Sequence, residues 1–290
     1  MQIYIDGTFH AKEDARISVY DHGLLYGDGV FEGIRIYEGC VFRLEQHIAR
    51  LYESAKAIAL DIPVTPEKMT GVVVDTIRRN ERRDGYVRLI VTRGIGDLGL
   101  DPANCKQASI ICIVDSLKLY PEELYRNGIK AITASTRQIG PAIFDARIKS
   151  LNYLKNVLAK IEARRAGTFE AVMLNDQGFV AECTGDNIFV VKGGALLTPP
   201  LWDGALAGIT RDAILEIARG EGIPAREDRL TRFDLFNADE CFLTGTGAEL
   251  IPVVDIDDRR IGDGAPGEIS LRILAAFRNL ITKDGVHVFS

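Results

Sequence analysis

The spacing of apolar residues predicts a chain in which helices and strands are mixed. Apolar side chains recur at intervals of four and three from residue 44 to residue 58, which indicates one face of an amphipathic helix. A second helix is expected after Pro66, because proline suits the first turn of a helix. Further helices are expected at 151–166, 210–220 and 268–281. Strands are expected at 2–5, 31–37, 86–92, 109–114, 129–134, 171–174, 187–191 and 240–244. Helices and strands do not alternate strictly, so the pattern predicts an α+β fold and not a doubly wound sheet.

A polar stretch that carries Pro121 separates the two halves of the chain. We therefore expect a small N-terminal α+β domain at 1–118, an interdomain linker at 119–128 and a large C-terminal α+β domain at 129–290. Gly193 and Gly194 are expected to form a hairpin turn between two strands.

Composition and charge restrict the possible partners. The chain is 47% hydrophobic and 26% charged, with a formal net charge of -6, and its acidic and basic residues are interleaved. The arginines at 78, 79, 82 and 83 are interpreted as a solvated helix end, so nucleic acid is not an expected partner. Five scattered cysteines without a C-x-x-C pair favour reduced thiols over a disulfide framework or a zinc site. We find neither a signal-peptide pattern nor an apolar run long enough for a membrane span, and expect a cytoplasmic protein.

Two charged residues stand in places that suit covalent chemistry on a ring cofactor. Lys149 lies between apolar residues where a helix is expected to begin, and desolvation there would favour the neutral amine that forms a Schiff base. Taken alone, such a lysine is more often a solvated surface charge. Glu182 ends an apolar strand, where a carboxylate could keep a pyridine nitrogen protonated. Its ordinary interpretation is an exposed residue at a strand end.

Two glycine-containing stretches could bind anions. At 207–213 (AGITRDA), Gly208 and Thr210 predict a helix start whose backbone N–H groups could bind a phosphate. The alternative is an ordinary helix with Thr210 as its cap. At 243–250 (LTGTGAEL), two glycines after a strand would let backbone N–H groups approach a phosphate or a carboxylate. The alternative is an ordinary glycine turn.

Together with residues 21–35 and 41–44, these stretches resemble the class IV aminotransferases, which are fold-type IV enzymes that depend on pyridoxal 5'-phosphate. Within that family they look most like the branched-chain amino-acid aminotransferases. The resemblance extends from about residue 2 to residue 281. It implies the two-domain α+β architecture shared with D-amino-acid aminotransferases, and a cofactor that passes through pyridoxamine 5'-phosphate.

The resemblance implies a set of cofactor-binding residues. Lys149 would hold the cofactor as a Schiff base and carry a proton between the substrate Cα and the cofactor C4′, while Glu182 would pair with the pyridine nitrogen. Tyr153 would bind the phenolic oxygen, and the spacing supports this implication, since residues four apart share a face of a helix. The residues implied at the phosphate are Arg43, Ile209, Thr210 and Thr246.

A branched-chain substrate pocket is implied in the same way. Tyr26, Phe31 and Tyr86 would form an aromatic wall for an aliphatic side chain. Arg88, on the same strand face as Tyr86, would receive the second carboxylate of glutamate. The alternative for these two residues is a half-buried strand face. The other residues implied at the substrate are Gly33, Arg35, Leu98 and the carboxylate-binding turn Thr246, Gly247 and Ala248.

The expected reaction is ping-pong transamination of leucine, isoleucine and valine with 2-oxoglutarate. The loop after residue 92 lacks the histidine that D-amino-acid enzymes carry there, and residues 96–100 resemble a loop that covers a neighbouring subunit's pocket. We therefore expect at least a homodimer. Cys183 and Gly247 replace the expected glycine and alanine, and Gly247 suggests secondary activity toward D-amino acids or (R)-amines. An aminodeoxychorismate lyase and a non-catalytic protein that binds pyridoxal phosphate are the remaining alternatives.

Overall fold

The computed structural model describes residues 1–117 and 120–289. The described residues divide into two compact units: the first comprises 1–117, 148–152 and 280–289, and the second comprises 120–147 and 153–279. The predicted α+β class is confirmed. The predicted boundary at 118, the linker start at 119 and the chain end at 290 lie outside the described residues. The division differs from the predicted one at residues 148–152 and 280–289, which cluster with the first unit although we expected them, Lys149 included, in the C-terminal domain.

The helices and strands are numbered here in chain order. The strands are β1 Gln2–Ile5, β2 Thr8–Ala11, β3 Gly29–Tyr37, β4 Cys40–Phe42, β5 Gly85–Thr92, β6 Ser109–Asp115, β7 Ile129–Thr133, β8 Glu170–Leu174, β9 Val180–Cys183, β10 Asn187–Lys192, β11 Ala195–Thr198, β12 Ala225–Glu227, β13 Glu240–Gly245, β14 Glu249–Ile256, β15 Arg259–Arg260 and β16 Gly285–His287. The helices are α1 His22–Tyr26, α2 Leu44–Ala57, α3 Pro66–Arg79, α4 Glu122–Asn127, α5 Leu154–Arg165, α6 Ile209–Gly220, α7 Arg232–Phe236 and α8 Glu268–Leu280. Helix α4 lies inside the segment predicted as a linker.

The first unit contains a seven-stranded antiparallel sheet in the order β16-β4-β3-β5-β6-β1-β2. Alternation along its strands separates two faces. On one face, alternate residues of β3 and β5 join apolar residues of α2 and α3 in a buried core. Residues of the opposite parity, such as Phe31 and Gly33 on β3 and Arg88 on β5, lie on the other face.

The second unit contains a nine-stranded mixed sheet in the order β12-β11-β10-β13-β14-β7-β8-β9, with β15 paired to β14. The predicted hairpin between β10 and β11 is confirmed. Gly193 and Gly194 form its turn with φ values of 57° and 78°, in the left-handed region that glycine adopts at low cost.

Candidate active site

Lys149 lies in an extended segment at one edge of β3. Ser150 forms a bridge with Val30, and the N–H of Phe31 donates to the carbonyl of Lys149 at 3.0 Å. The N–H of Lys149 donates to Oγ of Ser54 on α2 at 3.1 Å. Its Nζ lies 4.7 Å from the centroid of the Phe31 ring. The sheet edge and helix α2 therefore fix the backbone of the lysine, while its amine reaches the ring of Phe31.

The expectation that a helix begins near Lys149 is wrong. Helix α5 starts at Leu154 with Tyr153 as its N-cap, whereas residues 149–151 pair with β3. Hydrogen bonding to the edge of a sheet outweighs the helical spacing of the sequence here. The helix-face argument for Tyr153 therefore fails, and its contact with the cofactor stays a prediction.

Phe31, Tyr86 and Arg88 form one cluster on the sheet face opposite the helices. The guanidinium carbon of Arg88 lies 4.6 Å from the centroid of Phe31 and 5.4 Å from that of Tyr86. The Tyr86 hydroxyl lies across Gly33, because a Cβ on that residue would be 1.8 Å from the hydroxyl oxygen. Glycine at 33 thus makes room for Tyr86. Since Lys149 and Arg88 both contact the ring of Phe31, an aromatic wall here carries two cationic groups.

The other predicted substrate residues of the first unit make different contacts. Arg35 pairs with Tyr86 across β3 and β5. The Arg35 guanidinium carbon lies 4.7 Å from the ring centroid of Tyr37, and its Nε is buried without a hydrogen-bond partner among the described residues. The hydroxyl of Tyr26 donates to the carbonyl of Leu98, so these two residues form a separate contact between α1 and the loop after β5. Their roles in substrate binding stay predictions.

A buried ion cluster on the helix-facing side of β3 escaped the sequence analysis. Arg50 donates to both carboxylate oxygens of Glu32, at 2.7 and 2.8 Å, and Nδ1 of His47 lies 2.7 Å from Oε2 of the same carboxylate. Burial alone would raise the pKa of Glu32, but Arg50 and His47 hold that pKa well below its usual range. Burial, assisted by the positive charges of Arg50 and Lys149, lowers the pKa of His47 although Glu32 opposes it. The cluster therefore contains an ionised Glu32 and a neutral His47 at neutral pH.

The two arginines of this region have different surroundings. Arg43, the predicted phosphate residue, precedes α2 with a left-handed φ of 47°, and its Nε donates to Asp284 at 2.7 Å. It lies eleven residues before Ser54, or roughly 16 Å along a helix axis. Arg50 lies one turn before Ser54, whose hydroxyl contacts the Lys149 backbone. Arg50 is thus the arginine closer along α2 to Lys149, and the phosphate role of Arg43 stays a prediction.

In the second unit, Glu182 lies on β9 and is 8% exposed. Its Oε1 accepts a hydrogen bond from Nε2 of Gln138 at 2.6 Å, and its Oε2 accepts one from the N–H of Leu206 at 2.8 Å. Gln138 was not found from the sequence. The carboxylate is therefore held in a defined orientation by two neutral donors.

Helix α6 begins at Ile209, one residue before the start expected from the sequence, and its role as a phosphate site stays a prediction. Gly208 is its N-cap and provides no side-chain cap, which excludes the alternative with Thr210 as the cap. A Cβ on Gly208 would lie 2.0 Å from Oδ1 of Asn187, so only glycine fits between the helix and that side chain. Both Ile209 and Thr210 are buried. Backbone N–H groups at such an end favour an anion.

The predicted carboxylate-binding turn connects β13 and β14. Thr246 and Gly247 are half-buried, whereas Ala248 is buried and its carbonyl accepts a hydrogen bond from the Tyr125 hydroxyl at 2.9 Å. Asn187 pairs with Thr244 just before this turn. Within the second unit, Asn187 thus contacts both the start of α6 and the strand that leads into the turn.

Two further classes of site find no support in residues 1–117 and 120–289. Their His, Cys, Asp and Glu side chains form no group that could hold a metal ion. None of the helices in these ranges is long and apolar enough to cross a membrane.

Comparison with known proteins shows the family. Residues 29–256 match the model of amino-transferase class IV. A Methanocaldococcus jannaschii protein named "Putative branched-chain-amino-acid aminotransferase" is 52% identical over 289 residues, covering 100% of this chain and 99% of its own. A D-alanine aminotransferase of Bacillus licheniformis is 36% identical, covering 98% of both chains. The crystal structure of the T.th. branched-chain amino acid aminotransferase with pyridoxamine 5'-phosphate has a TM-score of 0.93 at 37% identity, covering 97% of this chain and 94% of that one. The chain therefore belongs to the class IV aminotransferases, which confirms the predicted family.

Proposed function

We propose that this enzyme uses pyridoxal 5'-phosphate to transfer amino groups between branched-chain L-amino acids and 2-oxoglutarate. The observation that carries the proposal is the position of Arg88 between the rings of Phe31 and Tyr86. The ring faces suit an aliphatic side chain, whereas the guanidinium suits the distal carboxylate of glutamate or 2-oxoglutarate. The similarity to branched-chain aminotransferases supports the same substrate class. Because one pocket would serve both substrates in turn, we expect ping-pong kinetics.

The residues present fit pyridoxal 5'-phosphate, which carries an aldehyde, a phosphate and a basic ring nitrogen. Lys149 supplies an amine, Glu182 a buried carboxylate and the start of α6 a helix end without a side-chain cap. These are the groups that such a cofactor needs. When bound, the cofactor would serve as the electron sink for negative charge at the substrate Cα.

Each of these residues has a defined task in the proposed reaction. Lys149 would hold the cofactor covalently and, once displaced by the substrate amine, take the proton from the substrate Cα and deliver it to the C4′ carbon of the cofactor. Glu182 would keep the ring nitrogen protonated. The turn at Thr246, Gly247 and Ala248 would bind the substrate α-carboxylate through backbone N–H groups. Tyr153 would bind the phenolic oxygen of the cofactor.

For the phosphate we propose the start of α6 with Thr246, together with Arg50. Arg50 lies on the stripe of α2 that contacts the Lys149 backbone through Ser54. Arg43 remains the alternative from the sequence, although its pairing with Asp284 assigns it a structural task. Variants of the two arginines distinguish these assignments.

We also propose a homodimer in the cytoplasm. Leu98 and Leu100 of the loop after β5 are 68% and 79% exposed, which is unusual for large apolar side chains and supports a loop that covers a second copy's pocket. All five cysteines are free thiols, in keeping with a reducing compartment.

The experiment that tests the proposed substrates compares Arg88→Met with the unmodified enzyme. Methionine keeps much of the length and the apolar contact but removes the charge. We expect kcat/KM for L-glutamate to fall by roughly 100-fold, because a charge-assisted bidentate pair is lost, while kcat/KM for L-leucine stays within about threefold. Equal losses for both donors would remove the basis for the dual pocket. An Arg83→Met variant, on the exposed end of the region after α3, is the matched control.

Activity toward D-amino acids or (R)-amines on the same scaffold is the second candidate. The similarity to a D-alanine aminotransferase and the half-buried Gly247 in the proposed carboxylate turn favour it over the lyase alternative. Donors of each class separate the two candidates directly.

A further inference from the structure

We propose that Gln138 is a positioning residue for Glu182. It would orient the carboxylate and favour its ionised form, so that Glu182 can hold a protonated ring nitrogen. The inference rests on the proposed function only for this last step, because the contact between Gln138 and Glu182 lies within the second unit and needs no ligand.

Hydrogen bonds at both ends fix the orientation of the Gln138 amide. Its Oε1 accepts from the N–H of Ile139 at 3.0 Å, and its Nε2 donates to Oε1 of Glu182 at 2.6 Å. If the amide were rotated by 180°, its NH2 group would face the N–H donor of Ile139 and its oxygen would face the acceptor Oε1 of Glu182. Gln138 is 2% exposed, so water does not replace either bond. The amide therefore donates to Glu182 in one defined direction.

The backbone around Gln138 is also held in place. Its N–H donates to the carbonyl of Leu174 at 2.9 Å. The residues just before it are bound by Glu162 of α5, which accepts hydrogen bonds from both Ser135 and Thr136. These hydrogen bonds hold the segment that contains Gln138, so the Cα of Gln138 has a fixed position.

The side chain is enclosed by the loop that holds the other carboxylate oxygen. A Cβ on Gly204 would lie 2.8 Å from Cγ of Gln138, so the glycine backbone packs directly on the glutamine stem. Two residues later, the N–H of Leu206 donates to Oε2 of Glu182. Gln138 and this loop therefore hold the two oxygens of one carboxylate and pack against each other.

The chemistry of a neutral donor explains why glutamine suits this position. A hydrogen bond to the ionised form favours ionisation, as a cation would. A cation at this point would also repel the positive charge of a protonated ring. The amide of Gln138 stabilises the negative charge of Glu182 without adding a positive one beside the cofactor nitrogen.

The first experiment measures the pKa of Glu182 in the full-length chain. Carboxyl carbons of 13C-labelled glutamate are followed by NMR against pH, and the Glu182 signal is assigned from its loss in Glu182→Gln. In Gln138→Met, which keeps the length but removes the donor, we expect this pKa to rise by about one unit. The exposed Gln177→Met is the matched control and should leave it unchanged. A folded Gln138→Met variant with an unchanged Glu182 pKa would overturn the proposal.

The second experiment uses the enzyme loaded with pyridoxal phosphate and the Gln138→Glu variant. The introduced carboxyl group can donate to Glu182 only while it is protonated, and repels it when ionised. We expect cofactor dissociation in this variant to become at least tenfold faster as pH rises from 5 to 8, with Gln177→Glu unaffected. Dissociation that follows the unmodified enzyme at every pH would overturn the proposal, even if Gln138→Met does not fold.

Kinetics separate a positioning role from a merely structural one. In Gln138→Met we expect kcat for L-leucine to fall about tenfold while KM changes by less than about twofold. A raised Glu182 pKa in a protein that transaminates no amino acid would support the positioning role and reject the proposed function. A Gln138→Met variant that is active and has an unchanged Glu182 pKa would reject the positioning role and support the proposed function.

Discussion

Glu32 in the first unit and Glu182 in the second are both buried carboxylates on strands, yet they are held in different ways. Glu32 is fully buried and receives both a bidentate arginine and a histidine. The two hydrogen bonds that orient Glu182 come instead from a side-chain amide and a backbone N–H. The Arg50 cation offsets the charge of the first carboxylate, whereas neither of the two donors to the second carboxylate carries a charge.

These different hydrogen-bond partners indicate that the two carboxylates have different roles. The ion cluster of Glu32 keeps Arg50 in place beside the helix stripe that contacts Lys149, and its contribution is to the structure of the first unit. In the proposed function, the carboxylate of Glu182 would supply a negative charge to a protonated ring nitrogen. Substitutions of the two glutamates should therefore damage different properties.

The largest effect is expected on the stability of Glu32→Gln. The change leaves Arg50 as a buried cation without its carboxylate, which costs about 3–5 kcal/mol of unfolding free energy. Chemical denaturation, with the exposed Glu45→Gln on α2 as the control, measures this loss. Because the folded-state pKa of Glu32 is lowered, its contribution is complete above its ordinary value of 4.5 and disappears as pH falls further. The difference in unfolding free energy between the variant and the unmodified enzyme should accordingly shrink below pH 4.5. A difference that widens there would refute the ionised state assigned to Glu32.

Glu182→Gln should impair activity more than stability, which is the opposite of the effect expected for Glu32→Gln. An amide cannot hold a proton on a ring nitrogen, so we expect kcat to fall by about 100- to 1,000-fold, as when a preorganised electrostatic group is removed. The free energy of unfolding without cofactor should fall by about 1–3 kcal/mol, less than in Glu32→Gln, since the new amide can accept from Leu206 but then opposes its NH2 to that of Gln138. Steady-state kinetics and denaturation of the same preparation give both values. A variant that loses stability but keeps kcat would reverse the roles given to the two glutamates.

Glu162 provides a third carboxylate, bound by neutral donors but without a proposed catalytic task. Burial alone would raise its pKa, yet hydrogen bonds from Thr136 and Ser135 lower it to about 2. We expect Glu162→Gln to lose about 2 kcal/mol of stability. This contribution should be present above about pH 4.5 and vanish as pH falls toward 2, because a lowered folded-state pKa stabilises only the ionised form. Thermal unfolding between pH 2 and 7 tests it, and a loss that persists unchanged at pH 2 would contradict the ionic origin.

The smallest effect distinguishes the two arginines. We expect Arg50→Lys to weaken pyridoxal phosphate binding about tenfold, because lysine cannot keep the bidentate contact with Glu32 and reach a phosphate as well. Arg43→Lys should leave cofactor affinity within about twofold. Equilibrium binding followed by cofactor absorbance measures both. The reverse order of the two affinities would restore the phosphate role that the sequence suggested for Arg43.

Periodicity alone predicts much of the fold. The helices α2, α3, α6 and α8 and most long strands lie where the spacing of apolar residues and Pro66 place them. The segment of Lys149 was missed because its pairing with β3 joins residues more than a hundred positions apart. Such long-range hydrogen bonds leave no mark in local spacing, and apolar residues after the lysine resemble the first turn of the helix that begins at Leu154.

The candidate site was predictable to different degrees. Lys149, Glu182 and the start of α6 were found because their motifs resemble a known family. His47, Arg50 and Ser54 gave a local signal, since they directly precede apolar residues of α2 and share a helix stripe that a solvated face would not occupy. Gln138 gave none. A single glutamine in a loop acquires its meaning only when the fold brings Glu182 within 2.6 Å.

The most direct test of the proposed activity is a single-turnover absorbance experiment on the enzyme loaded with pyridoxal phosphate. The enzyme is mixed separately with L-leucine, D-alanine and an (R)-arylamine, without any amino acceptor. We predict rapid loss of the yellow absorbance with L-leucine and its recovery when 2-oxoglutarate is added. Loss of absorbance with D-alanine or the amine, and none with L-leucine, would contradict the pocket assigned to Phe31, Tyr86 and Arg88.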